Sequence, residues 1–141
     1  MQTCHMTIRT ATLSPAVACA ALLTACATPP PAAQVRWLEP ADAATVGPTS
    51  KVRFGLQGMS VAPAGDIVAG TGHHHLPIDQ LPVASGTVVP VTPQHIHCGK
   101  AQTAAEVKLA PGTYKLTAQF ANGAHQSYGE ALSHRITVTV K

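Results

Sequence analysis

Histidine is the residue type with the clearest chemical potential in this chain of 141 residues, which contains eight histidines against six carboxylates. Residues 70–99 hold five of the eight, in the two runs His73-His74-His75 and His95-Ile96-His97. Because successive side chains of a β-strand point to opposite faces, His73 and His75 share one face of their strand. The same alternation places His95 and His97 together on one face of theirs. If the two strands are neighbours, four imidazoles converge, and four such nitrogens suit Cu(II) or Zn(II).

Three other side chains are secondary candidates for the same site. His74 lies between two candidate ligands but points to the opposite face of the strand. His125 follows the Asn122-Gly123 turn and could join the group from a loop. Cys98 offers a softer thiolate ligand. A single thiol in an oxidising compartment is otherwise buried and inert or paired with another molecule.

The histidines are also compatible with two interpretations that need no metal. They could form a structural network by hydrogen bonding to backbone carbonyls, to carboxylates such as Asp79, or to each other through water. They could also form a pH-responsive surface, since an unperturbed imidazole titrates near ~6.5. His134, near the last predicted strand, is expected to be an ordinary surface residue.

The segments that must position these side chains are short and alternate between apolar and polar residues, with frequent Pro and Gly between them. This pattern is typical of antiparallel strands. The predicted strands cover residues 35–38, 52–56, 73–78, 87–91, 95–97, 107–109, 114–120 and 136–140. Seven or eight such strands indicate an all-β fold, an immunoglobulin-like antiparallel sandwich of two sheets. Tyr114, just after the Pro111-Gly112 turn, matches the position of the tyrosine corner of such sandwiches.

The N-terminal segment resembles a bacterial lipoprotein signal. Arg9 precedes a short apolar stretch, which ends in Leu23-Thr24-Ala25-Cys26 and is too short to span a bilayer. We therefore expect residues 1–25 to be removed, Cys26 to carry lipid, and residues 26–34 to form a Pro/Ala-rich tether. The domain then comprises residues 35–141, with Cys98 as its single thiol.

Location and partners follow from this signal. The expected location is the bacterial cell envelope, where lipid on Cys26 anchors the chain to a membrane. Ala27 follows the lipidated cysteine, which favours the periplasmic face of the outer membrane over retention in the inner membrane. A metal ion and a second envelope protein are the other candidate partners.

Several functions are excluded by composition and spacing. The nine Lys and Arg residues are scattered singly, so no basic patch is available to follow a nucleic acid backbone. The chain has no Gly-x-Ser-x-Gly motif, and its carboxylates are dispersed. Cys98 and the adjacent His97 would face apart in a strand. We therefore assign no catalytic residue and expect a protein that is not an enzyme.

A set of short motifs is spread over most of the chain. They are Glu39-Pro40, Val46, Lys51-Val52-Arg53-Phe54-Gly55-Leu56, Gly58-Met59, Val61-Ala62-Pro63-Ala64-Gly65, Gly70-Thr71-Gly72-His73-His74-His75-Leu76, Ile78-Asp79, His95-Ile96-His97, Gln102-Thr103 and Pro111-Gly112-Thr113-Tyr114. Together they resemble the bacterial family called domain of unknown function 4399, from Trp37 onward. The resemblance implies a small secreted or lipid-anchored β domain. Cys98 stands where many members of the family have an aromatic residue, which weakens the case for this thiol as a ligand.

Two functional hypotheses remain open from the sequence. The first is a lipid-anchored periplasmic β-sandwich whose histidine cluster binds a transition metal, Cu or Zn. The second is a non-catalytic structural or protein-interaction module of the envelope, whose histidines form a hydrogen-bond network. A chelator distinguishes them, because a metal bound only to the native state stabilises it and a network of protein hydrogen bonds does not respond.

Overall fold

The computed structural model describes residues 31–141, which form a sandwich of two β-sheets, as predicted. This part of the chain contains one 3-10 turn, Glu130–Leu132, and no α-helix. Nine strands make up the two sheets: β1 (Gln34–Glu39), β2 (Thr45–Val46), β3 (Thr49–Gln57), β4 (Ser60–Val61), β5 (Thr71–Pro77), β6 (His95–His97), β7 (Ala104–Lys108), β8 (Gly112–Ala121) and β9 (Ser133–Val140).

One sheet has three strands in the order β1-β3-β7, and the other has six. The larger sheet follows the order β2-β9-β8-β5-β4, with β6 paired to β5. Most pairs are antiparallel. The exceptions are the two-residue strands β2 and β4, which run parallel to β9 and β5. The central position of β5, between β8 and the pair β4 and β6, is what allows it to carry the histidine site.

The core between the sheets is formed by alternate residues of the long strands. In β9 the apolar residues Ile136, Val138 and Val140 are buried, and the intervening residues are partly exposed. In the smaller sheet Trp37 and Phe54 face this core, with ring centroids 5.1 Å apart. Alternation of this kind is the expected result when one face of a strand packs inward and the other is solvated.

β5 and the second half of β8 depart from this alternation because they are buried on both faces. The covering layer on the outer face comes from the long connection between β5 and β6, residues 79–94. Its Gln80 carbonyl accepts a hydrogen bond from Oγ1 of Thr117, at 3.1 Å. The Val83 N–H donates to Oε1 of Gln119, at 3.0 Å. Side chains on the outer face of β5 are therefore shielded from bulk solvent.

The strand predicted over residues 87–91 is wrong, because this segment belongs to the covering connection. Only Val88 makes a bridge of β type, to Gln126. Val89 is buried, whereas Val88 and Val91 are largely exposed. Pro90 has no N–H for a strand ladder, so an apolar alternation at this position does not extend into a sheet.

The predicted tyrosine corner is present at the start of β8. The Tyr114 hydroxyl donates a hydrogen bond of 3.0 Å to the carbonyl of Ala110, four residues earlier. This contact ties the Pro111-Gly112 turn to the strand, as in immunoglobulin-like sandwiches.

The predicted signal segment, residues 1–25, and Cys26 lie outside the described residues. The tether predicted over residues 26–34 falls only partly within them, and β1 begins at Gln34. Over residues 31–141, no helix has the length and apolar character needed to cross a membrane.

Candidate metal centre

Strand geometry brings three histidines together. His73 and His75 lie on the outer face of β5, and β5 pairs with β6 in a register that sets His75 opposite His97. On its other edge β5 pairs with β8, where His73 is opposite Ala121. The backbone of β5 is therefore fixed from both sides, and its two outward imidazoles point toward the same space beside His97.

The fourth histidine reaches this space from the turn that follows β8. The Asn122 side chain organises the turn, since its Oδ1 accepts hydrogen bonds from the N–H groups of Ala124 and Gln126, each 3.0 Å long. His125 adopts a left-handed backbone conformation, with φ 64°. Its carbonyl accepts a hydrogen bond of 2.8 Å from Val89, which links the turn to the covering connection.

His73, His75, His97 and His125 form what we call the histidine cluster. One potential ligand atom from each residue lies within 4.8 Å of those of the other three. Nε2 of His75 is 3.0 Å from Nε2 of His73, and Nε2 of His125 is 3.1 Å from Nε2 of His97. The ring centroids of all six pairs are 4.8–5.7 Å apart.

Burial keeps the inner imidazoles of the cluster neutral. His73 and His75 have no exposed surface. Burial, reinforced by the charges of neighbouring histidines, lowers the pKa of His73 to about 4 and that of His75 to about 3. The pKa of His97 is lowered by the same causes. A neutral imidazole has a free nitrogen lone pair, which is the form that binds a metal.

The spacing of the cluster suits one transition metal ion. With metal–nitrogen bonds of about 2.0–2.1 Å, a tetrahedral site places its nitrogens about 3.3 Å apart. Two Nε2 to Nε2 distances, 3.0 and 3.1 Å, lie within a few tenths of an ångström of this value, and the wider separations in the group, up to 4.8 Å, must shorten when the ion binds. In each Nε2 to Nε2 hydrogen bond one imidazole donates its N–H and the other accepts with its lone pair, so the cluster uses two of its four lone pairs in this way. A central metal ion would bind all four lone pairs.

His95, which the sequence placed in the primary set, does not belong to the cluster. It is opposite Pro77, so it lies two residue pairs further along β5 than His97 does. Its Nδ1 is 3.2 Å from Oγ1 of Thr92, and its buried Nε2 has no hydrogen-bond partner in the region that the structure describes, residues 31–141. His95 and His97 do lie on the same face of β6, as predicted. His95 is two residues away from His97, however, and its imidazole therefore lies outside the cluster.

His74 points into the core on the other side of the sheet. Its ring stacks on Phe54, with centroids 4.7 Å apart and planes at 18°, and it meets Phe120 edge-on at 5.0 Å. Within the described part of the chain, neither ring nitrogen has a hydrogen-bond partner. Burial lowers the pKa of His74 to about 4, with a smaller contribution from His73.

Cys98 is also part of the core and lies outside the cluster. Its side chain is buried among apolar residues, and its N–H donates a 3.0 Å hydrogen bond to the His74 carbonyl. Burial raises the pKa of this thiol to about 11. The thiol is therefore protonated at neutral pH and poorly suited to bind a metal.

Gly99 supports the cluster and was not singled out by the sequence. A Cβ added at this position would overlap Cε1 and Nε2 of His97. The ring of His97 therefore lies directly over the glycine. The only sequence signal was a glycine two residues after a histidine, which is too common a pattern to indicate such a contact.

The family assignment agrees with the motifs quoted from the sequence. One protein-family profile, described as a domain of unknown function (DUF4399), matches residues 52–141. The chain belongs to the DUF4399 family. The matched region contains every residue of the histidine cluster and all strands from β4 onward. No curated protein and no solved structure matches the chain.

Proposed function

We propose that this DUF4399 domain binds one transition metal ion through His73, His75, His97 and His125. The observation that carries the proposal is the convergence of four imidazole nitrogens within 4.8 Å. Two of these side chains are buried and neutral, so their lone pairs are available at neutral pH.

The donor set favours Cu(II) or Zn(II). Imidazole nitrogen suits both ions, and the affinity of a given nitrogen site normally follows an order in which Cu(II) exceeds Zn(II). Within residues 31–141 the group includes no thiolate and no carboxylate. Ions that prefer oxygen ligands, such as Ca²⁺ and Mg²⁺, therefore have no matching donors in the cluster.

We further propose that the domain acts at the bacterial cell envelope, anchored through lipid on Cys26. The Leu23-Thr24-Ala25-Cys26 motif supports this location, on the periplasmic face of the outer membrane. A chain anchored there would meet metal ions that enter the periplasm and would hold them next to the membrane.

Thermal unfolding of the full chain in a mild detergent tests the metal site. The single tryptophan, Trp37, is buried, so its fluorescence reports unfolding of the sandwich. The protein is stripped with a chelator, and then Cu(II) or Zn(II) is added in excess, so that the free metal concentration is well above Kd. At a free metal concentration one hundred times Kd, binding stabilises the native state by about 2.7 kcal/mol. For a domain of this size the Tm rises by roughly 10 °C.

The variants compared are His73→Ala/His75→Ala, His97→Ala and wild type. Both variants should lose the metal-dependent rise in Tm. His97 is partly exposed, so its removal keeps the comparison valid if the double variant fails to fold. A rise of equal size in wild type and in both variants would show that the metal binds elsewhere and would end the proposal.

The alternative is a structural or protein-interaction module of the envelope that needs no metal. The two Nε2 to Nε2 contacts, at 3.0 and 3.1 Å, favour it because each is also a good hydrogen-bond length. In this case the chelator leaves the Tm unchanged, and added Cu(II) or Zn(II) has no specific effect. Affinity capture of an envelope protein partner would then be the next experiment.

A further inference from the structure

We propose that the bound metal ion takes a small exogenous anion as a ligand, at the position that the His125 side chain occupies in the histidine cluster. This inference rests on the proposed metal site and identifies its exchangeable ligand. It follows from two independent features, the unequal support of the four histidines and the absence of negative charge in the ligand set.

Three of the four ligands are held by the sheet. His73 and His75 project from β5, which is paired on both edges, and neither has exposed surface. His97 lies in β6, opposite His75, and Gly99 lies directly beneath its ring. These three imidazoles form one wall of the cluster. Strand pairing fixes the backbone of all three residues, and the solvent-exposed ring of His97 is also packed against Gly99 on one side.

His125 is held differently. The contacts that fix its backbone are the hydrogen bonds His125 N–H to Asn122 O, at 2.9 Å, and Val89 N–H to His125 O, at 2.8 Å. Its ring is partly exposed and contacts the cluster from the solvent side. The ring can therefore leave the ion by side-chain rotation alone, with both backbone hydrogen bonds intact, and such rotations are fast for exposed side chains.

The charge balance of the site favours an anion. Four neutral imidazoles leave the full charge of a divalent ion uncompensated beside two fully buried side chains. Among residues 31–141 no Asp or Glu oxygen belongs to the group. A charge held in a poorly solvated site is costly unless an opposite charge pairs with it.

Replacement of His125 by an anion supplies that charge without adding a fifth ligand. The resulting site has three strand-borne imidazoles and one open position toward solvent, as in zinc sites that bind water or substrate. The space vacated by an imidazole ring accommodates a ligand of a few atoms. The chemical class of the ligand is therefore a small anion.

Azide is the probe, because its binding to Cu(II) produces a charge-transfer absorption band. The full chain in detergent is loaded with one equivalent of Cu(II) and titrated with sodium azide. The variant His125→Gly removes the competing imidazole and suits the positive φ of this position. Ala43→Gly is the matched control, since Ala43 also has a positive φ, of 61°, and pairs with Thr137 away from the cluster.

We expect wild type and Ala43→Gly to bind azide equally, and His125→Gly to bind it at least about tenfold more tightly, since competition by a bound imidazole reduces the apparent affinity. If His125→Gly does not retain the wild-type circular dichroism spectrum, His125→Asn replaces it, because Asn tolerates the left-handed region.

The remaining outcomes separate the two proposals. If wild type binds no Cu(II), the metal site itself is wrong and the anion site fails with it. If Cu(II) binds but azide changes the spectrum of neither protein, the metal site stands and the anion site is overturned. Equal azide affinities in wild type and His125→Gly would also overturn it, because His125 would then not be the exchangeable ligand.

Discussion

The imidazole of His97 lies across the Cα atom of Gly99, where any side chain would overlap its Cε1 and Nε2 atoms. The position of a cluster ligand therefore depends on a residue that has no donor atom. Gly99 lies in the segment that follows β6, so it can constrain the ring without taking part in the sheet. This dependence can be measured separately from the stability of the fold.

The variant Gly99→Ala should weaken metal binding. The added methyl group pushes the His97 ring away from its place beside His75, and displacing a group that orients a ligand typically costs about 10–100-fold in metal affinity. The measurement is isothermal titration of the stripped protein with Cu(II) or Zn(II). The Tm of the metal-free protein should change little, because the ring is partly exposed and can move outward.

Gly47→Ala is the control for this change. A Cβ at Gly47 would meet only the carbonyl oxygen of Thr49, at 3.9 Å, which is ordinary van der Waals contact. Its metal affinity should equal that of wild type. If Gly99→Ala binds metal as tightly as Gly47→Ala does, the orientation of His97 does not depend on the glycine.

A second prediction separates the two histidines of β6. His97→Gln should weaken metal binding by roughly 1.4 kcal/mol or more, a factor of at least ten in Kd, because it removes one of four ligands. His95→Gln is the same substitution two residues away, and it should leave Kd unchanged because His95 contacts Thr92 and lies outside the cluster. A loss of affinity in His95→Gln similar to that in His97→Gln would mean that the ion sits closer to Pro77.

The comparison of His95 with His125 shows what the sequence could and could not predict about the site. Strand alternation correctly put His73 and His75 on one face, and the pairing of β5 with β6 brought His97 beside them. Alternation does not reveal the register, and the register sets His95 opposite Pro77. The position of His125 depends on a turn and on its hydrogen bond from Val89, which are contacts between distant parts of the chain.

The fold was easier to predict than the site because apolar alternation is a local signal. β1, β3, β9 and the first half of β8 expose and bury residues in alternation over most of their length, and each strand was predicted within a few residues of its ends. The burial of both faces of β5 was not predicted, because it requires the connection over residues 79–94 to fold back over the sheet. Val88 and Val91 in that connection are apolar but exposed, so the same local signal failed there.

His74 provides a third prediction, about stability. Its ring is fully buried against Phe54 and Phe120, and neither nitrogen has a hydrogen-bond partner among residues 31–141. A buried polar group without a partner costs about 1–3 kcal/mol. The variant His74→Leu removes this cost but also loses the ring contacts, which are worth about 0.5–1.5 kcal/mol. The net result should be a rise of about 1 kcal/mol in the free energy of unfolding at pH 7.

Urea unfolding of the metal-free protein measures this change, and His74→Gln is the control. Gln keeps an unpaired polar group in the core and also loses the ring contacts with Phe54 and Phe120, so it should lower the free energy of unfolding. Metal affinity should be unaffected in His74→Leu, because the ring points away from the cluster. A clear loss of stability in His74→Leu would mean that the ring nitrogens have partners, such as buried water.

The last prediction concerns pH. The pKa values of His73 and His74 are lowered to about 4 and that of His75 to about 3 in the folded protein, mainly by burial, from 6.5. At a pH between the lowered pKa of the folded protein and 6.5, the unfolded chain binds more protons than the native state does. Acid therefore favours unfolding. The stability of the metal-free protein should therefore be constant with respect to these groups above pH 6.5 and should fall as the pH drops from 6.5 toward 4. Each histidine contributes up to roughly 1.4 kcal/mol per pH unit in this window.

Urea unfolding at pH 8, 7, 6 and 5 measures the slope, and His74→Leu tests its origin. The variant lacks one of the three groups, so its slope below pH 6.5 should be smaller than that of wild type by the contribution of one histidine. Stability that does not change between pH 7 and pH 5 would show that the inner histidines are not held neutral. In that case the pKa values of the buried imidazoles would lie near the ordinary value of 6.5, and metal binding below that pH would have to displace protons from them.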